Sequence, residues 1–453
     1  MINTPVTDAM KETDPYLLEF ERFDKAGARA HPSWIYPIRK AGIARFAELG
    51  FPTLRDEDWR FTNVAPIAKL PFEPLLDPTD HGLKAADLAQ FNFMQIQATR
   101  LVFVDGFFAP SLSSSVSQAK GAYIGSLAAA LGEEHSALEK HLTRYARTEK
   151  NTFTALNNAF FSDGAFIYLP EGTPLETPVH LLFVSTGRHR GATSFPRNLI
   201  VAEKNSRLTL IESYVGLQKS VYFTNAVTEF VLGDNAMVEH CKFQEECLTA
   251  FHMAALHATL GRSANFVSHS IAMGSQLSRN NIHTALDGPG VECVLNGLYL
   301  TRDQQLADHW MFVEHAQPHC NSHEYFNGIL DGNSKGVFHG RIFVHQLAQK
   351  TDAKQTNKNL LLSDSATVDT KPQLEIYADD VKCTHGATVG QLNDEAIFYL
   401  RTRGVGSETA RRMLIHAFAG EIIERVRFRR LRDELDSVVW DRLEENERVA
   451  VQK

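Results

Sequence analysis

The sequence predicts a mainly β protein with a right-handed parallel β-helix at its core and mainly helical regions at both ends. Clusters of turn residues recur at steps of roughly 26 to 32 residues between residues 198 and 389, and a short β-rich run follows each cluster. A helical period of apolar residues is confined to the two ends of the chain. We therefore predict a helical region (1–150), a β-helix (151–395) and a second helical region (396–453).

The repeat of the turn clusters is the strongest structural signal in the sequence. A single coil cannot bury its inward side chains, so coils of this kind stack and hydrogen-bond to their neighbours. One step, from Asp287 to Asp331, is longer than the others and is expected to hide a turn. Regular short strands also fit an antiparallel sandwich or barrel, which is the alternative architecture. The clusters begin at Asn205, Gly233, Gly261, Asp287, Asp331 and Ser363, and the strands that follow begin near Leu208, Ala236, Asn265, Val291, Val337 and Ala366.

The amino-terminal region mixes helical segments with short apolar runs. Segments 37–49 and 126–145 have a helical period, whereas 101–104 is a short apolar run. This combination predicts a mixed, mainly helical arm.

The carboxy-terminal region returns to a helical pattern. Ser407 is a suitable N-cap, and Glu408 lies near the positive end of the helix dipole. An apolar stripe at helical spacing follows, which predicts a helix that docks on the β-helix or binds a partner. The stripe consists of Met413, Leu414, Ala417, Phe418, Ile422 and Val426.

The composition excludes several classes of protein. Of the 453 residues, 43% are hydrophobic and 22% are charged, which is typical of a folded globular protein, and the net charge of -8 argues against nucleic acid as a partner. No apolar run approaches the roughly 20 residues of a membrane-spanning helix. Residues 1–8 have the features of neither a signal peptide nor a transit peptide, so we expect a cytoplasmic protein without a membrane partner. The five cysteines form no CxxC pair, which predicts reduced thiols.

The chain contains none of the common catalytic motifs. It lacks the GxxxxGK[ST] loop, so we expect it to bind no nucleotide, and it lacks the GxSxG and HExxH motifs. Glu375, Asp379 and Asp380 are candidates for the paired carboxylates of a carbohydrate-active β-helix enzyme. A polar strand edge is the alternative interpretation of these three residues.

Histidines are concentrated between residues 309 and 323, next to one thiol. Imidazole and thiolate groups bind zinc or iron, but the spacing matches no closed metal site. Polar side chains at equivalent positions of a β-helix also form internal ladders, so structural hydrogen bonding is the alternative. The weaker metal candidates in this segment are His315, His319, Cys320 and His323.

The segment 360–390 carries a long and specific motif. It contains Asp369-Thr-Lys-Pro-Gln-Leu-Glu-Ile-Tyr-Ala-Asp-Asp, followed by Lys382-Cys-Thr-His-Gly-Ala-Thr. Asp394-Glu-Ala-Ile-Phe-Tyr-Leu-Arg-Thr-Arg-Gly continues it, and Asp58-Trp-Arg-Phe-Thr agrees upstream. These segments resemble the SufB/SufD family of the SUF iron-sulfur cluster assembly system. The order Lys-Cys-Thr-His-Gly is similar to the SufD type, whereas the SufB type has a Lys-Cys-Gly-Ala-His type segment.

The resemblance implies a non-catalytic scaffold subunit built on a parallel β-helix. Family members of this kind pair with a SufB-type paralogue, and each subunit binds one SufC-type ABC ATPase. A homodimer is expected when the chain is isolated. The missing phosphate-binding loop agrees with this interpretation, because the ATPase activity would reside in the SufC-type partner.

Two residues are carried over from the family as cluster candidates. His385 matches a histidine that resembles a ligand of an iron-sulfur cluster at the interface between paralogues. Cys383 lies two residues earlier, and residues i and i+2 share one face of a strand. The cluster would be transient, and the partner would supply the remaining ligands. The alternative roles are a small buried residue for Cys383 and an interface hydrogen bond for His385.

The stripe from Met413 to Val426 resembles the surface on which the family docks the ATPase. The same stripe also suits packing on the end of the β-helix. Two functions of other classes stay open as alternatives: a β-helix carbohydrate-active enzyme and a purely structural interaction protein.

Overall fold

The structure is a computed structural model that describes residues 8–27, 32–78, 80–114 and 121–451. It confirms the parallel β-helix flanked by helical regions. The expectation that the chain has neither a signal peptide nor a transit peptide was drawn from residues 1–8. Residues 1–7 lie outside the described residues. None of the helices in the described part of the chain is long and apolar enough to cross a membrane.

Two long sheets form the walls of the β-helix. Sheet 1 has the order β20-β18-β16-β14-β12-β10-β8-β5-β4, with β7 and β1 attached at its side, and sheet 2 has the order β21-β19-β17-β15-β13-β11-β9-β6-β2-β3. All pairs are parallel except β2 with β3 and β4 with β5. The strands are β1 (Glu73–Pro74), β2 (Thr99–Val104), β3 (Phe107–Phe108), β4 (Tyr123–Ser126), β5 (Ala165–Leu169), β6 (Val179–Ser185), β7 (Ala192–Ser194), β8 (Arg197–Ala202), β9 (Arg207–Gly216), β10 (Phe223–Leu232), β11 (Met237–Glu245), β12 (Phe251–Leu260), β13 (Asn265–Ala272), β14 (Leu277–Leu286), β15 (Glu292–Thr301), β16 (Leu306–His315), β17 (Asn321–Leu330), β18 (Lys335–Val344), β19 (Asp352–Leu361), β20 (Thr367–Ile376) and β21 (Lys382–Gly390).

The pitch of the coils agrees with the spacing of the turn clusters. Phe251 pairs with Leu277, 26 residues later, and Lys335 pairs with Thr367, 32 residues later. The other steps from β9 to β21 lie between these two values. The repeat in the sequence is therefore one full coil.

The long step in the repeat arises because the turn clusters change corner. The clusters up to Asp287 precede strands of sheet 2, whereas the clusters at Asp331 and Ser363 precede strands of sheet 1. The hidden turns lie at 302–304, before β16, and at 317–319, before β17. Each contains a single turn-forming residue, Asp303 or Pro318, and no cluster of such residues, which is why the sequence marks them only weakly.

One corner of the β-helix repeats a left-handed residue in successive coils. Asn235 there has a φ of 55°, and its N–H donates to the Arg262 carbonyl of the next coil at 2.8 Å. His319 has a φ of 60° and donates in the same way to the Gln349 carbonyl at 2.9 Å. These hydrogen bonds link the corners of successive coils, just as the hydrogen bonds between strands link the coils within each sheet. The equivalent residues are Asn205, Asn235, Ser263, Gly290, His319 and Lys350.

The interior between the sheets contains both an apolar core and buried polar groups. Phe326 of sheet 2 packs against Phe338 of sheet 1 with ring centroids 5.3 Å apart. Lys242 is fully buried, and its Nζ bonds to His252 Nε2 at 2.9 Å and to Asn280 Oδ1 at 2.5 Å. Burial lowers the pKa of Lys242 to about 8. Some polar groups inside the coils thus bond to one another, whereas others have no hydrogen-bond partner among the described residues.

The amino-terminal helices cover one face of sheet 1. Glu229, on β10, forms a buried ion pair with Arg197 at 2.6 Å and accepts the backbone N–H groups of Thr143, Tyr145 and Ala146 at 2.9 Å each. This contact fixes the loop between the helices at 136–141 and 152–160 to the sheet. The helices of this region are α1 (Asp8–Gly27), α2 (Ile35–Leu49), α3 (Ala65–Ala68), α4 (Ala85–Leu88), α5 (Leu127–Gly132), α6 (Ser136–His141) and α7 (Thr152–Phe160).

Two details of the predicted helices are wrong. Segment 126–145 forms two short helices rather than one, because Glu134 takes a left-handed conformation (φ 54°) between α5 and α6. The N-cap of the carboxy-terminal helix is Gly406, and Ser407 is the first helical residue.

Three helices follow the β-helix, and the second and third cover the outer face of sheet 2. They are α8 (Asp394–Thr402), α9 (Ser407–Ile423) and α10 (Arg429–Val451). Ile422 and Val426 pack with Ile271, Leu298 and Ile329, which project outward from the sheet. Helices α9 and α10 therefore lie along the side of the β-helix, not on its end.

Candidate functional site

The last coil of the β-helix is an open end. Strands β20 and β21 each have a strand partner on one side only among the described residues. Apolar side chains of the same region are exposed: Ile376 at 38%, Val389 at 51% and Tyr377 at 60%. In a stack of coils, an uncovered end with apolar side chains and free strand edges is a surface for another chain.

His385 lies on the inner face of this last coil. It pairs in register with Gln355, which is fully buried between the sheets, and Gln355 pairs with Glu324 in the coil before. Side chains paired in register on neighbouring strands point the same way. His385 is exposed because the described residues contain no coil beyond β21.

Cys383 lies on the same inner face as His385 but is less exposed to solvent. It pairs with Ala353 and packs, half-buried, against the apolar core between the sheets. Burial raises the pKa of the Cys383 thiol above its usual range. The thiol is therefore protonated at neutral pH unless a metal displaces the proton.

A buried carboxyl group lies two coils beneath the candidate ligand. Glu324 is fully buried, and its Oε2 accepts a hydrogen bond from Gln355 Nε2 at 2.7 Å. Burial raises the pKa of Glu324 to about 8. The protonated form of this carboxyl is therefore favoured at neutral pH.

The open end supplies two metal donors, not a complete site. Within the described ranges, no three His, Cys, Asp or Glu side chains lie where they could hold a metal ion together. Four ligands are usual for a cluster iron or a zinc ion. His385 and Cys383 would therefore need donors from a second chain.

The structure does not bring the four weaker metal candidates together. His315 is buried in the interior, with Nε2 2.8 Å from Ser322 Oγ, and Cys320 is buried with its thiol donating to the Gly288 carbonyl at 3.3 Å. His319 is the exposed left-handed corner residue. His323 projects outward, 3.6 Å from Asp352. The four side chains therefore lie in four different environments. This arrangement favours the alternative interpretation, in which they do not bind a metal together.

The residues of the predicted docking stripe divide into three sets by their exposure. Ile422 and Val426 are buried against sheet 2, while Leu414 and Phe418 are half-buried. Met413, at 40%, and Ala417 are exposed.

Two exposed aromatic residues that follow the last strand were not predicted from the sequence as site residues. Phe398 and Tyr399 lie on α8, which starts four residues after β21, and both are exposed. The sequence feature that could have predicted them is a pair of adjacent aromatic residues on a short helix directly after the last strand. Their exposure extends the apolar surface of this part of the molecule.

Two of the three carboxylates considered for glycoside cleavage are held in ion pairs, while Asp379 is exposed. Glu375 is 3.3 Å from Arg341 Nε on the outer face of sheet 1. Asp380 forms an ion pair with Lys350 at the corner of the coil. Neither carboxylate is free to act as a general acid or nucleophile in this arrangement.

Comparison with known proteins gives matches along nearly the whole chain. Residues 183–418 match the model of the SufBD core domain of SUF system FeS cluster assembly, and residues 10–181 match the SufBD protein N-terminal region. The chain is 32% identical over 86% of its length to an iron-sulfur cluster assembly SufBD family protein of Synechocystis, covering 86% of that protein. It is 31% identical over 90% of its length to the iron-sulfur cluster assembly protein SufD of Escherichia coli, covering 93% of it, and 25% identical over 90% to SufD of Bacillus subtilis, covering 94%.

Proposed function

Because this chain belongs to the SufBD family of SUF system iron-sulfur cluster assembly proteins, we propose that it is a scaffold subunit with no catalytic reaction of its own. It pairs with a SufB-type paralogue and binds a SufC-type ATPase. A cluster is built transiently at the seam between the paralogues and then passed on. The observation that carries this proposal is the open end of the β-helix, where His385 is exposed among apolar side chains.

The paralogue covers the open end. A second β-helix with the same pitch can continue both sheets by pairing with β20 and β21, which buries Ile376 and Val389 and satisfies the free strand edges. When the chain is isolated, a second copy takes this place.

His385 is one ligand of the nascent cluster. Its imidazole is exposed on the inner face of the last coil, so a partner seated there brings its own donors next to it. Cys383 is a second donor on the same face, and metal binding would have to overcome the raised pKa of its thiol. The iron and sulfide are cargo in this account and belong to the seam.

The ATPase docks on the carboxy-terminal helices. The exposed part of the stripe, Met413 and Ala417, is available for a helix-in-groove contact. Ile422 on the same helix, and Val426 just beyond its end, pack against sheet 2. Closure of two ATPase subunits on ATP would then move both scaffold subunits and change the seam.

The test of this function is co-expression with a SufB-type and a SufC-type subunit, followed by purification through a tag on this chain. We expect all three proteins in one complex. The complex is then reconstituted anaerobically with iron and sulfide, with His385→Ala as the variant. His323→Ala is the matched control, because this histidine projects outward and away from the seam.

The expected result is loss of most of the cluster absorbance with His385→Ala and none with His323→Ala. A folded chain that elutes without either partner would contradict the scaffold function. A complex of His385→Ala that assembles clusters as well as the unmodified complex would contradict the ligand role alone.

A further inference from the structure

His385 is the last member of a column of paired side chains between the sheets. Glu324 on β17 pairs with Gln355 on β19, and Gln355 pairs with His385 on β21. Paired strands lie about 4.8 Å apart. The amide of Gln355 is therefore the next side chain beneath the imidazole in this column.

Contacts on two sides hold the Gln355 amide in place. Its Nε2 donates to Glu324 Oε2 at 2.7 Å, and both side chains are fully buried. On the opposite sheet, a Cβ atom at Gly340 would lie 2.1 Å from the same Nε2. Gly340 does not have a positive φ, so its missing side chain serves the amide and not the backbone.

The other end of this amide has no partner in the described part of the chain. Gln355 Oε1 is buried and accepts no hydrogen bond there. A buried acceptor of this kind costs free energy unless something occupies it. The neighbouring side chain toward the open end is His385.

We propose that Gln355, anchored by Glu324, is a positioning residue: when a partner chain covers the open end, the exposed imidazole of His385 turns inward and one ring nitrogen donates to Gln355 Oε1. The other ring nitrogen is then left unprotonated and available to iron at the open end. Histidines that bind metals usually donate their second N–H to such an acceptor, which fixes the tautomer and the orientation of the ring. This inference rests on the proposed function, because it takes His385 as a cluster ligand.

The variants are chosen to separate positioning from folding. Gln355→Leu removes the acceptor, and Gly340→Ala keeps the glutamine but fills the space of its amide. Gln244→Leu is the matched control: it is also a buried interior glutamine, but it bonds to Glu246 and Ser275, several coils away.

The measurement uses the complete complex, loaded anaerobically with iron and sulfide, with this chain labelled with ¹⁵N-histidine. Iron retention is followed against a chelator, and the nitrogen hyperfine coupling of the reduced cluster is recorded by pulsed EPR. We expect Gln355→Leu and Gly340→Ala to weaken iron retention roughly 10- to 100-fold and to change the coupling. Gln244→Leu should leave the coupling in place.

The outcomes distinguish this inference from the function on which it rests. If His385→Ala abolishes the coupling and Gln355→Leu leaves it and the iron retention unchanged, the positioning role is wrong and the ligand role stands. If His385→Ala itself has no effect on the coupling, the proposed ligand role fails first. If Gln244→Leu is as damaging as Gln355→Leu, the effect is one of folding and the positioning role is contradicted.

Discussion

The exposure of His385 follows from its position and not from its chemistry. Its strand partner Gln355, in the same column, is fully buried, and the next residue in the column, Glu324, is buried as well. A histidine at the same point of an earlier coil would be covered by the coil that follows. The last coil thus converts an interior position into a site that a second chain can reach.

Glu324 gives the stability of the isolated chain a dependence on pH. In the folded state burial holds its pKa at about 8, against 4.5 for the ordinary group. Between these values the folded chain binds more protons than the unfolded chain, so stability falls as pH rises. The loss amounts to about 3 kcal/mol by pH 7.

We therefore predict that Glu324→Gln flattens this decline. The melting temperature of the variant, measured from pH 5 to pH 9, should exceed that of the unmodified chain increasingly toward the alkaline end. The exposed substitution Glu133→Gln is the control and should leave the curve unchanged. Parallel curves for the variant and the unmodified chain would contradict the burial account of Glu324.

The sequence could identify the site residues only through family resemblance. His385 and Cys383 are two residues apart, which places both side chains on one face of a strand. This spacing does not indicate that the strand is the last one in the stack of coils. The burial of Glu324 and the space at Gly340 depend on the opposite sheet, so neither can be read from local sequence. The histidines at 309–323 show the reverse case, in which a dense cluster in sequence is dispersed to different faces.

At the scale of single elements, the corner turns define the pitch of the coils. Asn235 has a left-handed conformation, and its backbone N–H donates to the Arg262 carbonyl in the corner of the next coil. Its Nδ2 also donates to Asn205 Oδ1 at 3.2 Å. A β-branched side chain disfavours this conformation, which costs about 1–2 kcal/mol for ordinary residues.

We predict that Asn235→Val lowers the free energy of unfolding by about 2 kcal/mol, whereas Asn235→Gly is nearly neutral. Denaturant unfolding of the isolated chain measures both. Met237→Val, two residues later on an ordinary strand position, serves as the control and should have little effect. Equal destabilisation by the valine and glycine variants would show that the conformation is not the cause.

The helix α9 has a packing face and an exposed face, and substitutions should separate them. Ile422→Asp places a charge against the outer face of sheet 2 and should cost about 3 kcal/mol or more of stability. Met413→Asp lies on the exposed face and should leave the melting temperature unchanged while weakening capture of the SufC-type ATPase.

Thermal melting and a pull-down with the ATPase check both variants. If Met413→Asp captures the ATPase normally, the docking surface must lie elsewhere on the chain.

The sequence predicted this helix and its apolar stripe correctly in outline, but it could not assign the two faces. That assignment depends on which residues of sheet 2 project outward, and the outward set is defined by the coil register.

At the scale of the whole molecule, the β-helix is covered along its sides and open at one end. The amino-terminal arm covers sheet 1, the carboxy-terminal helices cover sheet 2, and the last coil presents free strand edges. The sequence repeat predicted the stacking and its pitch because each coil carries its own turn signals. It could not predict the open end, since an uncovered coil has the same local pattern as a covered one.

The most direct test of the scaffold account blocks this open end in the three-protein complex. The double variant Ile376→Lys with Val389→Lys places charges where a second β-helix would seat, and Leu347→Lys is the control at an exposed apolar residue on a coil corner. Native mass spectrometry of the tagged chain then reports its partners. We predict that the double variant loses the SufB-type paralogue and keeps the SufC-type ATPase, while the control keeps both. Retention of the paralogue by the double variant would contradict the account.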